Sequence, residues 1–164
     1  KGAGIDSKFG GLVNLSNSIV AANFNNQDID PNSGFYIRSN GHNLIGNADP
    51  LFFFTNGVNG DLLGTALNPL DPLLGTFENR GGSRPTFNLL AGSPALDAGN
   101  LSLLPNDDFD LDFDGILNEP IPTDARGLGF DRVFNNLLDL GAVEFQPDPL
   151  LNPTPIASAP TLLV

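Results

Sequence analysis

Apolar and polar residues alternate along the first part of the chain, which is the pattern of short strands with one buried face. Residues 10–20 follow this alternation, and Leu15 falls out of step within them, so a bend or bulge is expected there. Residues 34–39 begin a second segment of the same kind. Asn40 and Gly41 form a strong turn signal behind it. The first part of the chain is therefore predicted to be short strands joined by tight turns.

The two segments end alike, which suggests a structural repeat. Residues 18–23 and residues 42–47 both run from a strand pattern into an Asn, and these Asn residues lie 24 positions apart. One turn of a parallel β-solenoid has about this length. Asn tolerates the backbone of a tight corner, and stacked Asn side chains can pair with the corners above and below. Such a coil is predicted to direct four apolar residues into one shared interior: Leu15, Ile19, Leu44 and Leu96.

The second half of the chain is less regular. Residues 138–145 are predicted to form a final strand, and the acidic loops of residues 102–136 are predicted to cover an open end of the coil, since an open end exposes strand edges and apolar core. Residues 1–145 would then comprise the coil and its cap. Residues 146–164 are rich in Pro and small residues, which is typical of a linker to another module.

Three blocks of sequence together resemble a known family: GGLVNLSNSIVAAN with GHNLIGN, then DPLLGTFENRGGSRPTFNLLAGSPALDAGN, then PIPTDARGLGFDRVFNNLLDLGAVEF. The chain, over roughly residues 10–145, resembles the C-terminal region of bacterial parallel β-helix proteins of the choice-of-anchor Q type, which occur in long surface proteins of cyanobacteria and other bacteria. The resemblance implies an all-β, right-handed parallel β-helix with C-terminal rungs (single turns of the coil) and irregular capping loops. It implies an architecture and a cell-surface or secreted location, not an activity.

Composition narrows the classes of function. The 164 residues carry a net charge of −12, which repels nucleic acid and anionic membrane surfaces. The absence of Cys excludes disulfides, thiolate zinc sites and a thiol nucleophile. No apolar run approaches the roughly 20 residues of a membrane span. The acidic charge favours cations, Ca²⁺ above all, if the carboxylates cluster, although it also serves solubility alone.

An aspartate-rich stretch is the strongest local signal of chemistry. Asp110, Asp112 and Asp114 stand before Gly115 in the D-x-D-x-D-G order of a calcium loop, where alternate carboxylates converge on one ion. Ile121 occupies the position where an EF-hand has its bidentate Glu, so the stretch is not a complete EF-hand. The ligands predicted for a Ca²⁺ ion are Asp110, Asp112, Asp114, the Ile116 carbonyl, Asn118 and Asp124, with Glu119 as an alternative to Asp124. The competing interpretation is a solvated acidic loop pinned to the coil by Phe109 and Phe113.

Two further residues invite a structural interpretation. Arg126 is predicted either to bind Asp97 or Asp139 across adjacent rungs or to be exposed to solvent. His42 is the only His, and a lone His near a turn is more often a hydrogen-bonded structural residue than a catalytic base. No nucleophile elbow is present, and the many acidic residues make any chosen carboxylate pair uninformative.

Three functions compete on this basis. The first is a non-catalytic structural module that terminates a β-helix in a large secreted or cell-surface protein, binds Ca²⁺ and contacts upstream rungs and downstream domains of the same polypeptide. The second is a fragment of a carbohydrate-active β-helix enzyme, similar to a polysaccharide lyase, with its active site elsewhere. The third is a face that binds a surface polysaccharide or ice. Ice binding is disfavoured, because the Thr residues are few and scattered.

Overall fold

The computed structural model describes residues 4–5, 11–23, 28–30, 36–49 and 54–146. Of the predicted linker, residues 146–164, only Gln146 belongs to this part of the chain. Among these described residues, the regular elements are short strands and two single turns of 3₁₀ helix, Val58–Gly60 and Leu101–Leu103. The strands are β1 Val13–Ser16, β2 Ile19–Val20, β3 Ile37–Gly41, β4 Leu44–Ile45, β5 Leu62–Leu63, β6 Leu74–Glu78 and β7 Thr86–Leu89. Within the described ranges, no helix is long and apolar enough to cross a membrane.

The first five strands form two parallel ladders, which we call the coil region (residues 11–64). Strand β1 pairs in parallel with β3, and Val13 lies opposite Ile37. Strand β4 lies between β2 and β5 in a second parallel sheet, where Leu44 lies opposite both Ile19 and Leu62. The first step along the chain is therefore 24 or 25 residues, as the sequence repeat predicted, and the second step is shorter, at 18.

A bulge accounts for the difference between 24 and 25 residues in the first step. Leu15 lies opposite Ser39 and Ser16 lies opposite Gly41, so Asn40 has no counterpart on β1. The irregularity predicted at Leu15 is confirmed, but the extra residue is on the neighbouring strand. Gly41 has a φ of 114°, and a Cβ there would meet the Asn59 carbonyl oxygen at 2.7 Å, so only Gly fits this position.

The three-stranded sheet separates two apolar clusters, because successive side chains of a strand point to opposite faces. On one face Val20 and Ile45 pack with Leu15, and the members of this inner cluster are Leu15, Val20, Ile29, Ile37, Ile45, Ala48 and Phe54. On the other face Leu44 packs with the outer cluster, Leu89, Ala95 and Leu140, against which Ile19 and Leu96 are partly buried. The prediction of one shared interior for Leu15, Ile19, Leu44 and Leu96 is wrong, because Leu15 alone faces the inner cluster.

A polar ladder joins the coil at one corner. The Asn43 side chain accepts a hydrogen bond from the Ser18 N–H at 3.1 Å, and the Asn43 N–H donates to Asp61 Oδ1 at 2.9 Å. Its amide group also donates to the Leu15 carbonyl at 3.2 Å. Asn43 and Asp61 are both buried, so these bonds replace water that the corner excludes. Asn43 thus bonds to the chain on both sides of it, as predicted for a corner Asn, but its neighbours in the ladder are Ser18 and Asp61 and not further Asn residues.

Residues 73–146, which we call the C-terminal segment, contain one antiparallel hairpin and otherwise turns. Strand β6 pairs with β7, and Phe77 lies opposite Phe87. The final strand predicted over residues 138–145 is wrong, because this stretch is turn and extended coil without strand pairing. Short loops there are instead fixed by isolated antiparallel bridges, such as the one between Thr123 and Asp131.

The C-terminal segment covers the outer face of the three-stranded sheet. Leu89 and Leu140 pack there against Leu44, and the Gly141 N–H donates to the Asn17 carbonyl at 2.8 Å. The Asn17 side chain in turn exchanges hydrogen bonds with the backbone of Asn100 at 2.9 and 3.0 Å. These contacts place Leu89, Asn100 and residues 140–141 along the side of the coil sheet. The cover over the end of the coil by residues 102–136 stays a prediction.

Candidate functional site

The aspartate-rich stretch forms one closed loop, residues 107–119, which we call the acidic loop. An antiparallel bridge between Asn106 and Pro120 closes its base. Next to this bridge, the Asp107 N–H donates to the Glu119 carbonyl and the Asn118 N–H donates to the Asp107 carbonyl at 3.0 Å. The two ends of the loop therefore bring the side chains of Asp107 and Glu119 together, although they are twelve residues apart in sequence.

Two groups of carboxylates in the acidic loop are close enough to share an ion. Asp110, Asp112 and Asp114 each offer an oxygen within 4.8 Å of the others, and so do Asp107, Asp112 and Glu119. Asp112 belongs to both groups. The three aspartates predicted as ligands are thus brought together. Asp107 was not among the predicted ligands, and the only signal for its place in this group was its position at the start of the acidic run.

Backbone N–H groups hold several of these carboxylates in place. Asp107 is buried and accepts hydrogen bonds from the N–H groups of Phe109 and Leu111, at 3.2 and 2.7 Å. Asp110 Oδ1 accepts from the Gly115 N–H at 3.1 Å, and Gly115 has a φ of 85°. The tight turn at Gly115 therefore folds the loop back toward Asp110, as the calcium-loop pattern requires.

The remaining predicted ligands divide into two cases. The Ile116 N–H donates to Asp114 Oδ1 at 2.7 Å, and Ile116 and Asn118 are exposed parts of the same loop. Their roles as ligands stay predictions. Asp124 lies outside both carboxylate groups. The Arg126 guanidinium donates to Asp124 Oδ2 from Nη2 at 2.6 Å and from Nε at 2.9 Å. The structure therefore does not bring Asp124 to the loop aspartates, and Glu119, the alternative to it, is the acidic residue that joins them.

The charges of the acidic loop act on one another. Desolvation, together with the negative charges of Asp114, Asp112, Asp107 and Asp110, raises the pKa of Glu119 above its ordinary value. Like charges at this separation disfavour the ionised form of a carboxylate. A bound divalent cation would remove that repulsion, and oxygen-only ligand sets of this kind suit a hard cation such as Ca²⁺.

Apolar side chains of the acidic loop project into solvent. Phe109 is 85% exposed and Phe113 is 79% exposed. The interpretation in which these two rings pin the loop to the coil is therefore wrong. Leu111, Ile116 and Leu117 are also about half exposed, so the loop alternates exposed apolar groups with carboxylates. Exposed apolar groups gathered in one place mark interaction surfaces more often than scattered ones do.

A second set of charges is buried within the C-terminal segment. Arg126 binds Asp124, donates to the Glu144 carbonyl oxygen at 2.8 Å and lies 4.1 Å from the centre of the Phe130 ring. The predicted partners of Arg126, Asp97 and Asp139, are wrong. Its carboxylate partner is instead two residues away in sequence, and a guanidinium satisfied on its edge and on its face is held rigidly.

Arg132 is the residue that sequence reasoning missed. It binds Glu144 at 2.8 Å and donates to the carbonyl oxygens of Asp139 and Gly141 at 3.1 and 2.8 Å. Both Arg132 and Glu144 are less than 5% exposed. A charge buried to this extent is stable only with close partners. These contacts tie the loop that carries Arg132 to residues 139–144 and make one unit of them.

Burial dominates the electrostatics of this unit. Desolvation raises the pKa of Glu144 to about 7, and the neighbouring charges of Asp139 and Asp124 act in the same direction. Desolvation likewise raises the pKa of Asp139, against the lowering effect of the hydrogen bonds from the Asp97 and Phe145 N–H groups. It lowers the pKa of Arg132, against the opposing field of Glu144.

His42 has a structural role. Its Nδ1 lies 2.8 Å from the Ala98 carbonyl oxygen, so Nδ1 carries the proton and donates it. Its Nε2 accepts from the Asn100 side-chain amide at 3.4 Å. The ring therefore links the coil region to the C-terminal segment and has no nitrogen free to act as a base. The structural interpretation of His42 is confirmed.

Two open cavities lie between the coil region and the C-terminal segment. The larger, of about 650 Å³, is bordered by Ser18, Thr123 and Arg132. The second, of about 400 Å³, is lined mainly by apolar groups, with Leu140 and Val143 in its wall and the exposed rings of Phe77 and Phe87 among its borders. We call the second one the hairpin cavity, because β6 and β7 form one of its sides.

Comparisons of the chain with models of protein families, with curated proteins and with solved structures find no match in any of the three. The resemblance to choice-of-anchor Q proteins therefore stays a prediction.

Proposed function

We propose that the coil region consists of turns of a parallel β-helix and that the chain is a non-catalytic structural module of a secreted or cell-surface protein. The observation that carries this proposal is the register of β2, β4 and β5. Ile19, Leu44 and Leu62 lie opposite one another in parallel, with Ser18, Asn43 and Asp61 stacked beside them. Parallel strands one rung apart, with a polar ladder at the corner, are what a β-helix requires.

The C-terminal segment has a stabilising part in this proposal. A short parallel sheet is rarely left bare on one face, because both of its faces are apolar. Leu89, Ala95 and Leu140 cover the outer face of the coil sheet, and the buried ion pairs make the covering segment rigid. In the proposal this cover lets the last rungs of a longer β-helix end without an exposed apolar side.

Hydrogen exchange tests the proposed coil directly. The N–H groups of Leu44, Gly46, Leu62 and Gly64 donate across the parallel sheet at 2.7–3.0 Å. In a stacked coil these amides exchange only on global unfolding, whereas the amides of the acidic loop exchange quickly. Equal and fast exchange at both places would contradict the stacked coil.

The alternative, a fragment of a carbohydrate-active enzyme with its active site elsewhere, gains no candidate base from the two buried arginines. A lyase needs a Lys or Arg side chain that can take a proton from the sugar. Arg132 borders the larger cavity but is held by Glu144 and two backbone carbonyls, and Arg126 is held by Asp124. Incubation with a panel of anionic polysaccharides is expected to give no new unsaturated ends. Turnover that disappears when one Arg is replaced would overturn the non-catalytic assignment.

We infer that the module also binds Ca²⁺ at the acidic loop. The support is the convergence of five carboxylates from Asp107 to Glu119, with Asp112 shared by both groups. Extracellular calcium modules of this kind bind with dissociation constants of roughly 10⁻⁴–10⁻³ M. Bound Ca²⁺ would neutralise charges that otherwise repel one another within the loop.

Calorimetric titration with Ca²⁺ tests this second inference. Asp112→Asn removes the carboxylate common to both groups, so it is expected to abolish measurable binding. Asp108→Asn is the matched control, because it removes the same charge from the same loop and Asp108 belongs to neither group. Equal affinities for the two variants would show that only the general negative field attracts the ion. An absence of heat for the unmodified protein would exclude the site.

A further inference from the structure

We propose that the acidic loop of one molecule docks into the hairpin cavity of a second copy, so that the protein associates head to tail. The loop supplies exposed aromatic rings flanked by carboxylates. The cavity supplies an apolar recess, and the hairpin that forms one of its sides carries the exposed Arg84. These are two different surfaces of one chain, so the contact is heterologous and repeats from copy to copy. The proposal goes beyond the structural function and does not depend on bound Ca²⁺.

The loop has the composition of a binding element. Phe109 and Phe113 are among the most exposed large apolar side chains of the described residues, at 85% and 79%. Aromatic side chains contribute most to binding when they are buried at the centre of an interface. In their own molecule neither ring is covered, and each stands between two aspartates. The loop therefore presents apolar anchors inside a negative rim.

The hairpin cavity is large and apolar enough to receive an aromatic side chain. Its volume of about 400 Å³ is within the range of sites that take small ligands, about 300–1,000 Å³. The walls are aliphatic, from Ile19, Leu74, Leu140 and Val143, and the rings of Phe77 and Phe87 lie 5.0 Å apart at its border. An aromatic side chain entering this recess would meet both apolar walls and ring faces.

The charges of the two surfaces also match. Net charge is −12, and the exposed arginines among the described residues are only Arg38, Arg80 and Arg84. Arg80 and Arg84 lie on the loop that joins β6 to β7, and Arg84 is two residues from Thr86, which lines the hairpin cavity. Arg80 is paired with Glu78, while Arg84 makes no ion pair within the described ranges. Arg84 is thus one of the few exposed arginines of the described residues, and it lies on the hairpin that forms one side of the cavity, so an acidic partner is favoured there.

Sedimentation velocity over a wide range of protein concentration tests the association, in low-salt buffer that contains a chelator. The unmodified protein is expected to form dimers and longer chains as its concentration rises. Added salt is expected to shift it toward monomers, since exposed charges are screened. A protein that stays monomeric at every concentration would overturn the proposal.

Two variants separate the two surfaces. Phe109→Ser with Phe113→Ser removes the anchors, and Arg84→Glu reverses the charge at the cavity. Each is expected to weaken self-association at least about tenfold. Leu67→Ser is the control, because Leu67 is 91% exposed but belongs to neither surface. The thermal unfolding of each variant establishes that the fold is retained.

A mixture of the two variants gives the sharpest outcome. The double Phe variant keeps an intact cavity, and the Arg84→Glu variant keeps an intact loop. Each alone is monomeric, but together they are expected to form a complex of one copy of each that grows no further. A mixture that stays monomeric, or an association that the Leu67 control also loses, would contradict a specific loop-to-cavity contact.

Discussion

The coil region and the C-terminal segment both bury apolar surface, but different interactions hold their backbones in place. In the coil region, parallel backbone pairing sets the register, and neutral or singly charged polar groups, such as Asn43 and Asp61, occupy the corner. In the C-terminal segment backbone pairing is sparse, and buried ion pairs of Arg126 and Arg132 hold the turns together. Where parallel backbone pairing ends, buried ion pairs hold the backbone in position instead.

The largest expected effect comes from breaking the ion-pair network. Arg132→Ala leaves Glu144 buried without its cation and removes two donors to backbone carbonyls. We expect a loss of about 3–5 kcal/mol in the free energy of unfolding. Arg80→Ala removes the exposed Arg80–Glu78 pair and is expected to cost less than about 1 kcal/mol. Denaturant unfolding of the two variants measures the difference, and similar losses would refute the distinction.

Neighbouring residues of β4 test whether the two apolar clusters are separate. Leu44→Ala and Ile45→Ala each open a cavity at a fully buried position and are expected to cost about 2–5 kcal/mol. Their local effects should differ. Leu44→Ala should speed exchange at the Leu140 N–H, which donates to Ala95 on the outer side, and Ile45→Ala should not. Equal acceleration in both variants would indicate a single core.

The fold of the coil region could largely be predicted from the sequence, whereas little of the fold of the C-terminal segment could. The spacing of residues 18–23 and 42–47 gave the rung length, because parallel register depends on local, repeated patterns. The two-sided burial of the coil sheet was missed, since β2 and β4 have two residues each and are too short for alternation to show which face is covered. The cover, Leu89 and Leu140, comes from distant sequence.

The candidate site likewise contains residues that a local sequence pattern predicts and residues that only the folded structure brings together. Asp110, Asp112 and Asp114 were found because their ligand pattern is local in sequence. Asp107 and Glu119 meet only through the bridge at the base of the loop, and no spacing rule predicts that contact. Arg132 and Glu144 were missed for a similar reason, because pairing across twelve residues of turns leaves no periodic signal.

The next effect in size is a dependence of stability on pH that belongs to the C-terminal segment. The pKa of Glu144 is raised to about 7 from 4.5, so the folded protein holds this proton more tightly than the unfolded chain does. Its contribution is fully present below about pH 4.5 and is lost as the pH rises through about 7. Integrated from about pH 5 to pH 8, the loss is about 2–3 kcal/mol.

Glu144→Gln provides the measurement for that dependence. The amide keeps the shape and an acceptor oxygen but cannot ionise. The difference in unfolding free energy between the unmodified protein and this variant should therefore change by about 2–3 kcal/mol between about pH 5 and pH 8, in the sense that the unmodified protein loses more as the pH rises. Asp139, whose pKa is also raised, leaves a residual slope of the same sign in the variant. Parallel profiles for the two proteins would show that Glu144 does not titrate in this window.

The smallest expected effect tests the corner of the coil region, where polar groups have less charge. Asn43→Ala leaves the Ser18 N–H and the Leu15 carbonyl without their partner and removes a donor from buried Asp61, so we expect a loss of about 1–3 kcal/mol. Asp61→Asn keeps an acceptor oxygen for the Asn43 N–H and should cost less. If the polar ladder fixes the register as the ion pairs fix the turns, Asn43→Ala also lowers the dependence of the unfolding free energy on denaturant, because the coil region then frays before the rest of the protein. A two-state transition with an unchanged slope would mean that backbone pairing alone sets the register, and that the ladder only satisfies groups buried for other reasons.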